Sequence, residues 1–246
     1  MSVLVHAGVA PTVFTHRGDF SAFTCNTILP TDLPLVTFFK LPAFHKLFGT
    51  PWIIGGQLAY EFSECSALYA EINYRQASHR NFFAPNVCIP LDVVNISLLI
   101  NNKFKAIDAY VGARLYSPIW CDQVALFVGG KFGIVHHKSV HFNYSIIPTP
   151  GPEELGLIST ESTPLFLSHT APAGGASIGL DWRFDCKWSV ILMAEVVATC
   201  APRSNTIIPV GTSSTFLPTI LPNNLYIGSL GTELFFPITL GLQYHF

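Results

Sequence analysis

The chain has 246 residues, of which half are hydrophobic and only 11% are charged, and its formal net charge is -2. The charged fraction is well below the ~25% of typical soluble domains, and no apolar run approaches the ~18 residues of a membrane-spanning helix. No basic patch indicates a nucleic-acid partner. The composition therefore argues against an ordinary soluble domain and a helical membrane protein. It is compatible with a barrel whose apolar side chains face lipid.

Apolar and polar residues alternate in eight segments, as they do in strands that have two different faces. In each segment one face is apolar and the other carries the charges. Each is close to the ~9–11 residues that a tilted strand needs to cross a bilayer. The predicted strands are residues 2–15, 52–63, 66–79, 106–117, 122–135, 174–185, 188–200 and 232–246.

The predicted strands are joined alternately by short and long connections. Short turns lie near residues 64–65, 118–121 and 186–187. Long segments cover 16–51, 80–105, 136–173 and 201–231, and they hold most of the eighteen prolines. Short periplasmic turns and longer external loops are typical of outer-membrane barrels. The sequence therefore predicts an all-β fold, an eight-stranded antiparallel up-and-down transmembrane barrel that forms a single domain over residues 1–246.

The last strand ends the chain on an aromatic residue. Gly241, Tyr244 and Phe246 resemble the C-terminal signal that the barrel-insertion machinery reads in bacterial outer-membrane proteins. With the strand and loop arrangement, the whole chain resembles the small eight-stranded outer-membrane barrel family, such as the OmpA transmembrane domain and the OmpW-like group. The resemblance implies a bacterial outer-membrane location and contacts with outer-membrane lipid, lipopolysaccharide and the insertion machinery. It calls for no cofactor.

The charged faces of the strands are predicted to line the barrel interior. An eight-stranded barrel is narrow enough for side chains to fill it, and buried charges are costly unless they are paired. A turn centred on residues 119–120 would place Asp108 opposite Lys131. The levels of Glu71 and Arg114 also match roughly, as do those of Arg75 and Asp108. We therefore expect ion pairs that close the lumen, with a gated or selective narrow pore as the alternative. The predicted lumen charges are Glu61, Glu71, Arg75, Asp108, Arg114, Lys131, Asp181, Arg183 and Glu195.

Six cysteines are unexpected for the periplasm, where thiols form disulfides. A disulfide requires Cα atoms within ~7 Å. Each end of the predicted barrel has three cysteines, so at least one cysteine at each end has no partner within the chain. We expect disulfides to other envelope proteins, similar to the cross-linked outer membranes of chlamydia-like bacteria. Free, unreactive thiols are the alternative, and no C-x-x-C spacing indicates a zinc site. The predicted turns hold Cys65, Cys121 and Cys186, and the loops hold Cys25, Cys88 and Cys200.

The long loops are unusually apolar, for example over residues 35–41, 89–100 and 216–221. Exposed apolar segments usually mark contacts. The loops are therefore expected to pack together as a cap, to contact a partner, or to guide a hydrophobic small molecule as in the OmpW-like group. Spacing between Phe38 and Phe48 also permits a short helix. A structural or surface-interaction barrel is the favoured function, and a narrow porin-like channel or hydrophobic-solute transporter is the alternative.

Catalysis receives less support from the sequence. His137 and Ser139 share a strand face, with Glu153 further along the loop, and a His-x-Ser pair resembles part of a lipid A deacylase site. Its parity is inward, however, which does not suit a lipid substrate. The histidines at 136, 137 and 141 offer metal ligands, but loop histidines without a ligand explain them as well. The sequence therefore predicts a protein that is not an enzyme.

Overall fold

The computed structural model describes residues 1–14, 19–24, 35–40, 44–63, 65–89, 92–120, 123–149, 163–200, 207–209, 224–227 and 231–246. These residues form eighteen strands and one short helix, α1 (Phe44–Leu47). The strands are β1 (Ser2–Val9), β2 (Thr12–Phe14), β3 (Asp19–Thr24), β4 (Leu35–Lys40), β5 (Trp52–Ser63), β6 (Ser66–Ala77), β7 (Phe82–Ile89), β8 (Asp92–Ile100), β9 (Phe104–Trp120), β10 (Val124–His137), β11 (Val140–Thr149), β12 (Thr163–Phe166), β13 (His169–Arg183), β14 (Trp188–Cys200), β15 (Ile207–Pro209), β16 (Asn224–Ile227), β17 (Thr232–Phe235) and β18 (Ile238–His245).

Eight strands close into an antiparallel barrel. In order around the wall they are β1, β5, β6, β9, β10, β13, β14 and β18, and each pairs with the next. The ring is completed by β18 against β1, from Ser2 opposite His245 to Val9 opposite Ile238. Closure leaves the barrel wall without a free sheet edge. The predicted eight-stranded antiparallel barrel is confirmed.

The two ends of the barrel differ. At one end, which we call the turn end, lie the three short connections and both termini, and the Phe246 amide donates a hydrogen bond to the Met1 carbonyl at 3.0 Å. At the opposite end, the loop end, lie all four long connections. Outward-facing Trp188 and Phe246 each pack against Tyr244 at the turn end, with ring centroids 4.8 and 5.1 Å apart. Such aromatic clusters are typical of a membrane–water interface.

The long connections contain more β-structure than the sequence indicated. Two four-stranded sheets lie within them, one ordered β12-β11-β8-β7 and the other β15-β16-β3-β4. The apolar segment 35–41, expected as a loop, is largely strand β4, and 89–100 is largely β8. Their apolar residues are compatible with strand pairing as well as with irregular loops. The short helix α1 lies where the spacing near Phe48 permitted one, and residues 216–221 lie outside the described ranges.

Two prolines interrupt the predicted first and last strands. β1 ends before Pro11 and β17 ends before Pro237, because proline has no amide to donate to the sheet. The breaks lie side by side, and the Phe236 amide donates to the Pro11 carbonyl at 2.9 Å. Beyond them β2 pairs with β17, which pairs with β14. The barrel wall therefore continues past the prolines toward the loop end.

The distribution of polar and apolar side chains is the reverse of that in a soluble domain. Large apolar side chains project outward, and Ile72 and Phe132 are 65% and 70% exposed, whereas Arg75, Asp108 and Glu233 are buried inside. An apolar exterior of this kind is stable only in lipid or detergent, because each Å² of apolar surface left in water costs roughly 25 cal/mol. Among the described residues, the single helix is far too short to cross a membrane.

Candidate functional site in the barrel interior

The barrel interior is filled by side chains that make five groups of contacts from the loop end to the turn end. We name them the aromatic cap, the Arg75 layer, the Lys131 layer, the Arg114 layer and the turn-end layer. Alternate residues of each strand point inward, so neighbouring strands bring side chains from distant parts of the sequence to one level. The Arg75, Lys131 and turn-end layers are built largely from polar groups, whereas the Arg114 layer surrounds its cation mainly with apolar and aromatic side chains.

The aromatic cap covers the interior at the loop end. Phe44 and Phe48, from the region of helix α1, pack against Phe104 with ring centroids 5.0 and 5.8 Å away. Phe14 and Phe166 complete the cluster, 6.2 Å from each other. Because four of these rings are buried and come from separate loops and strand ends, the cap ties the loop end of the barrel together. None of these five rings comes from segments 35–41, 89–100 or 216–221, so the expectation that those segments form a cap stays a prediction.

The Arg75 layer lies directly beneath the cap. The guanidinium of Arg75 donates to both carboxylate oxygens of Asp108, at 2.8 and 3.2 Å, and to Glu233 at 2.9 Å. Glu233 also lies 3.1 Å from His137 Nε2, and the Arg75 guanidinium stacks 3.6 Å from the Phe235 ring centroid. All four ion-pairing side chains are fully buried. Two-pronged guanidinium–carboxylate contacts are among the strongest charged hydrogen bonds in proteins.

The Lys131 layer follows below. The Lys131 ammonium lies 3.0 Å from Glu71 and 2.7 Å from Glu195, and it lies 4.4 Å from the centroid of the Tyr110 ring. Asn73 donates a hydrogen bond to Glu71. The layer therefore holds two carboxylates and one cation, and the amide and the aromatic face contribute further contacts.

The Arg114 layer holds its cation without a carboxylate. Arg114 donates to the Gln57 side-chain oxygen at 2.7 Å and to the Met193 sulfur at 3.1 Å. Its guanidinium lies between the rings of Tyr69 and Phe127, 4.6 and 4.7 Å from their centroids. Aromatic faces attract a cation electrostatically. Beside it Phe127 and Met193 pack with other apolar side chains, namely Leu4, Ile191 and Tyr116.

The turn-end layer is a chain of hydrogen bonds. Ser189 Oγ lies 3.2 Å from His245 Nε2, and His245 Nδ1 lies 3.2 Å from Glu61. Gln243 donates to Ser2, which donates to Glu61. Hydroxyl, imidazole and carboxylate follow the order of a hydrolase triad, but Ser189 is fully buried. A substrate carbonyl cannot reach its hydroxyl, so the arrangement acts as a polar network.

Most of the predicted lumen charges lie inside the barrel. Glu61 is partly exposed at the turn end, and Arg183 is exposed there, so Arg183 lies outside the interior network. Two register expectations were wrong. Lys131 lies opposite Gly112 and Asp108 opposite Val135, and Glu71 pairs with Tyr110 while Arg114 lies four residues away opposite Ala67. Strand β9 continues to Trp120, which pairs with Val124, so the connection lies about two residues later in the chain than 119–120 and the pairing moves with it. The buried predicted charges are Glu71, Arg75, Asp108, Arg114, Lys131, Asp181 and Glu195.

Sequence reasoning missed two members of the Arg75 layer, Glu233 and His137. Glu233 lies at the start of the last predicted strand, and its inward parity relative to Gln243 was a usable signal. His137 was recognised as inward-facing but was assigned to a loop. The neutral partners Gln57, Tyr69 and Tyr110 also alternate inward along their strands. Their contacts with particular cations depend on the barrel register, which local periodicity does not supply.

The cysteines whose side chains the structure describes are free and exposed. They are Cys65 and Cys186 at the turn end and Cys200 on the outer face of β14. Cys25 and Cys121 lie outside the described residues, and of Cys88 only the backbone is described. No disulfide joins the three described thiols.

The two strand-end histidines lie on opposite sides of the barrel wall. His137 lies inside against Glu233, whereas His136 lies outside, with Nδ1 2.8 Å from the Thr170 hydroxyl and Nε2 3.3 Å from the Ser168 hydroxyl. Within the part of the chain that the structure describes, no group of three histidine, cysteine or carboxylate side chains converges as a metal site would require. The pair His137 and Ser139 forms no described hydrogen bond. Residues 153–154 lie outside the described ranges.

A closed antiparallel sheet of eight strands, a charged interior and an apolar exterior together define a transmembrane β-barrel. No protein-family model and no curated protein sequence matches the chain. Three solved structures show distant similarity over all of this chain. Ail of Yersinia pestis, in complex with the heparin analogue sucrose octasulfate, is 13% identical, with 98% of its chain covered and a TM-score of 0.40. Neisserial surface protein A is 10% identical (99% covered, TM-score 0.37), as is OprG of Pseudomonas aeruginosa (96% covered, TM-score 0.36).

Proposed function

We propose that this protein is a bacterial outer-membrane barrel whose lumen is closed and which acts as a structural or surface-interaction protein through its loop end. The observation that carries the proposal is the filled interior, in which the Arg75, Lys131, Arg114 and turn-end layers lie beneath the aromatic cap. A lumen without an open route is supported by the burial of Phe48 and Phe104 at the loop end and of Ser189 and Gln243 at the turn end. A closed barrel leaves the surface as the place where the protein can act.

The loop end is the surface best suited to such contacts. Two four-stranded sheets, β12-β11-β8-β7 and β15-β16-β3-β4, belong to the long connections at this end. The aromatic cap fixes helix α1 and several strand ends to the barrel, so the loop end has a stable base. Binding surfaces are often loops held by a rigid scaffold. The barrel is the scaffold in this proposal, and the partner is another envelope protein or a host surface.

The location and orientation are tested with a membrane-impermeant maleimide on intact Gram-negative cells that express single-cysteine variants. Cys186 is exposed at the turn end, so it should be labelled only after the outer membrane is made permeable. A matched variant carries Ser78→Cys, at an exposed loop-end position, as its sole cysteine and should be labelled in intact cells. Equal labelling of both variants in intact cells, or of neither variant, contradicts the proposed orientation.

The main alternative is a narrow channel, because charged groups line the interior at several levels. Against it, Phe127 and Met193 pack closely around Arg114, and the cap covers the loop end. Transport of a hydrophobic solute through the wall is a weaker candidate, since β1 and β18 remain paired along the whole of both strands. Conductance measurements separate the channel from the closed barrel.

The proposal includes three further expectations. The last strand, with Gly241, Tyr244 and Phe246, is expected to be recognised by the barrel-insertion machinery. The apolar exterior is expected to contact outer-membrane lipid and lipopolysaccharide. Cys65 and Cys186 are exposed thiols, so they are available for mixed disulfides with other envelope proteins. A non-reducing gel of native envelopes should show reductant-sensitive complexes that disappear in the Cys65→Ser/Cys186→Ser variant; monomer alone contradicts cross-linking.

A further inference from the structure

Cationic side chains are concentrated on one side of the loop end. Five lysine and arginine residues lie in or next to the loop-end termini of α1, β6, β9 and β10. Four of them are exposed, and the fifth, Lys105, is partly exposed. None of the carboxylates whose side chains the structure describes forms an ion pair with any of them. Asp108 and Glu233 lie near these cations along the sheet, but both are buried in the Arg75 layer, where they contact Arg75 and His137. We call this surface the basic rim; it consists of Lys46, Arg80, Lys103, Lys105 and Lys138.

Backbone and side-chain contacts hold the members of the basic rim together. The Lys138 amide donates to the Lys105 carbonyl at 3.0 Å, and the Arg80 amide donates to the Leu47 carbonyl at 2.7 Å, next to Lys46. The Asn102 side chain accepts from the His141 amide at 2.7 Å and donates to the Ser139 carbonyl at 3.1 Å. These bonds join the start of β9 to the segment after β10. The lysines on both sides are therefore held close to one another.

The basic rim begins where the apolar exterior stops. Lys105 shares the outward face of β9 with Ile107, two residues away, and His136 shares the outward face of β10 with Ile134. Exposed Ile107 and Ile134 belong to the apolar exterior. On each strand, the next outward-facing residue beyond the isoleucine, toward the loop end, is polar. Lys105 and His136 are therefore at the level of the lipid head groups, whereas the isoleucines are at the level of the acyl chains.

From this position and charge we propose that the basic rim binds the phosphate groups of an anionic lipid in the leaflet at the loop end. The inference rests on the proposed function, since it requires the barrel to cross a membrane with its loop end at that leaflet. Ammonium and guanidinium groups bind phosphate through charge-assisted hydrogen bonds. The hydroxyls of Ser168 and Thr170, which lie against His136 on the same outer face, supply neutral hydrogen-bonding groups beside the cations.

The proposal is tested with the purified, refolded chain in phosphatidylcholine vesicles. One preparation contains diphosphoryl lipid A, a second contains dephosphorylated lipid A with the same acyl chains, and a third contains phosphatidylcholine alone with free inorganic phosphate. The readout is the amount of added lipid that stays bound through detergent extraction. We expect retention of the diphosphoryl lipid only, and weaker retention at high salt, because exposed charges are screened within roughly 10 Å at 0.1 M salt.

The test variant is Lys103→Gln/Lys105→Gln/Lys138→Gln. Each cation near a charged lipid surface adds to its attraction, so the triple change should weaken retention by at least about tenfold. The matched control is Lys187→Gln, which removes an exposed lysine at the turn end and should leave retention unchanged. Equal retention by the triple variant and the wild type overturns the proposal, as does equal retention of the dephosphorylated lipid.

Insertion is measured in the same vesicles by protease protection of the barrel. A chain that does not insert contradicts the proposed function itself. A chain that inserts but retains no diphosphoryl lipid contradicts the basic rim alone. Protection of the loop end by free phosphate, without lipid retention, would likewise overturn the proposal because the site would then bind the anion and not the lipid.

Discussion

The Arg75 layer and the Arg114 layer each bury an arginine inside the same barrel, but they accommodate its charge differently. Arg75 contacts two carboxylates, from Asp108 and Glu233, and is electrostatically paired. Arg114 contacts an amide oxygen, a thioether and two aromatic faces. Removing Arg75 would leave buried anions behind, whereas removing Arg114 would leave only neutral groups. The two layers should therefore differ in how strongly stability depends on the cation.

The Arg75→Met substitution should have the largest effect. It leaves Asp108 and Glu233 buried without their cation, and breaking a buried ion pair from one side typically costs about 3–5 kcal/mol. The measurement is the free energy of unfolding in urea, followed by tryptophan fluorescence in vesicles. The triple variant Arg75→Met/Asp108→Asn/Glu233→Gln removes the charges together and should recover a large part of the loss. A stable single variant would contradict the assigned ion pairs.

The Lys131→Met substitution should cause the second largest loss in unfolding free energy, about 3 kcal/mol. It leaves Glu71 and Glu195 buried on either side of the missing ammonium. Adding Glu195→Gln to this variant should restore stability in the same unfolding assay, because only one carboxylate then remains. If the double variant is less stable than Lys131→Met, the two glutamates do not share the lysine.

The Arg114→Met substitution sharpens the comparison from the other side. It leaves the Gln57 oxygen without its donor and removes the stacking on Tyr69 and Phe127, which together amount to about 2 kcal/mol. The loss in unfolding free energy should be clearly smaller than that of Arg75→Met. Equal losses would mean that the two layers do not differ in the way their contacts indicate.

The Gly112→Ala substitution should have the smallest of these effects, about 1–2 kcal/mol. A Cβ at this inward-facing position would lie 2.5 Å from the Gly130 carbonyl oxygen and 2.6 Å from the Tyr69 ring. The backbone and the ring that stacks on Arg114 would therefore both have to shift. Gly130→Ala is the matched control, because its Cβ would point outward and meet only a carbonyl 4.0 Å away. The two variants are compared by their urea midpoints, and a larger loss for Gly130→Ala would contradict the assigned inward and outward faces.

The barrel wall was predictable because each strand carries its own signal. In β14, for example, Ser189, Ile191 and Met193 alternate with outward-facing residues, and this periodicity is local. The strands of the long loops were not predicted, since an apolar run such as Leu35–Lys40 does not alternate and is compatible with several structures. The breaks at Pro11 and Pro237 have a local cause that the sequence contains.

The interior contacts were less predictable than the wall. Alternation along the strands predicts that Arg75 and Asp108 point inward. An approximate strand register was enough to predict that they lie at similar levels and could form an ion pair. Lys131 was assigned to Asp108, although its partners are Glu71 and Glu195, because an error of two residues in one turn moves every pair across the sheet. The contact between Arg75 and Glu233 joins strands far apart around the wall, and such contacts across a lumen depend on the size and tilt of the barrel.

The central claim is that these layers close the lumen, and single-channel conductance in a planar bilayer tests it most directly. The refolded wild-type protein, with insertion shown independently by protease protection, should give no conductance steps in salt solution. Stable, ion-dependent steps from the inserted wild-type barrel would contradict the closed lumen and would identify the Arg75 and Lys131 layers as candidate determinants of ion selectivity.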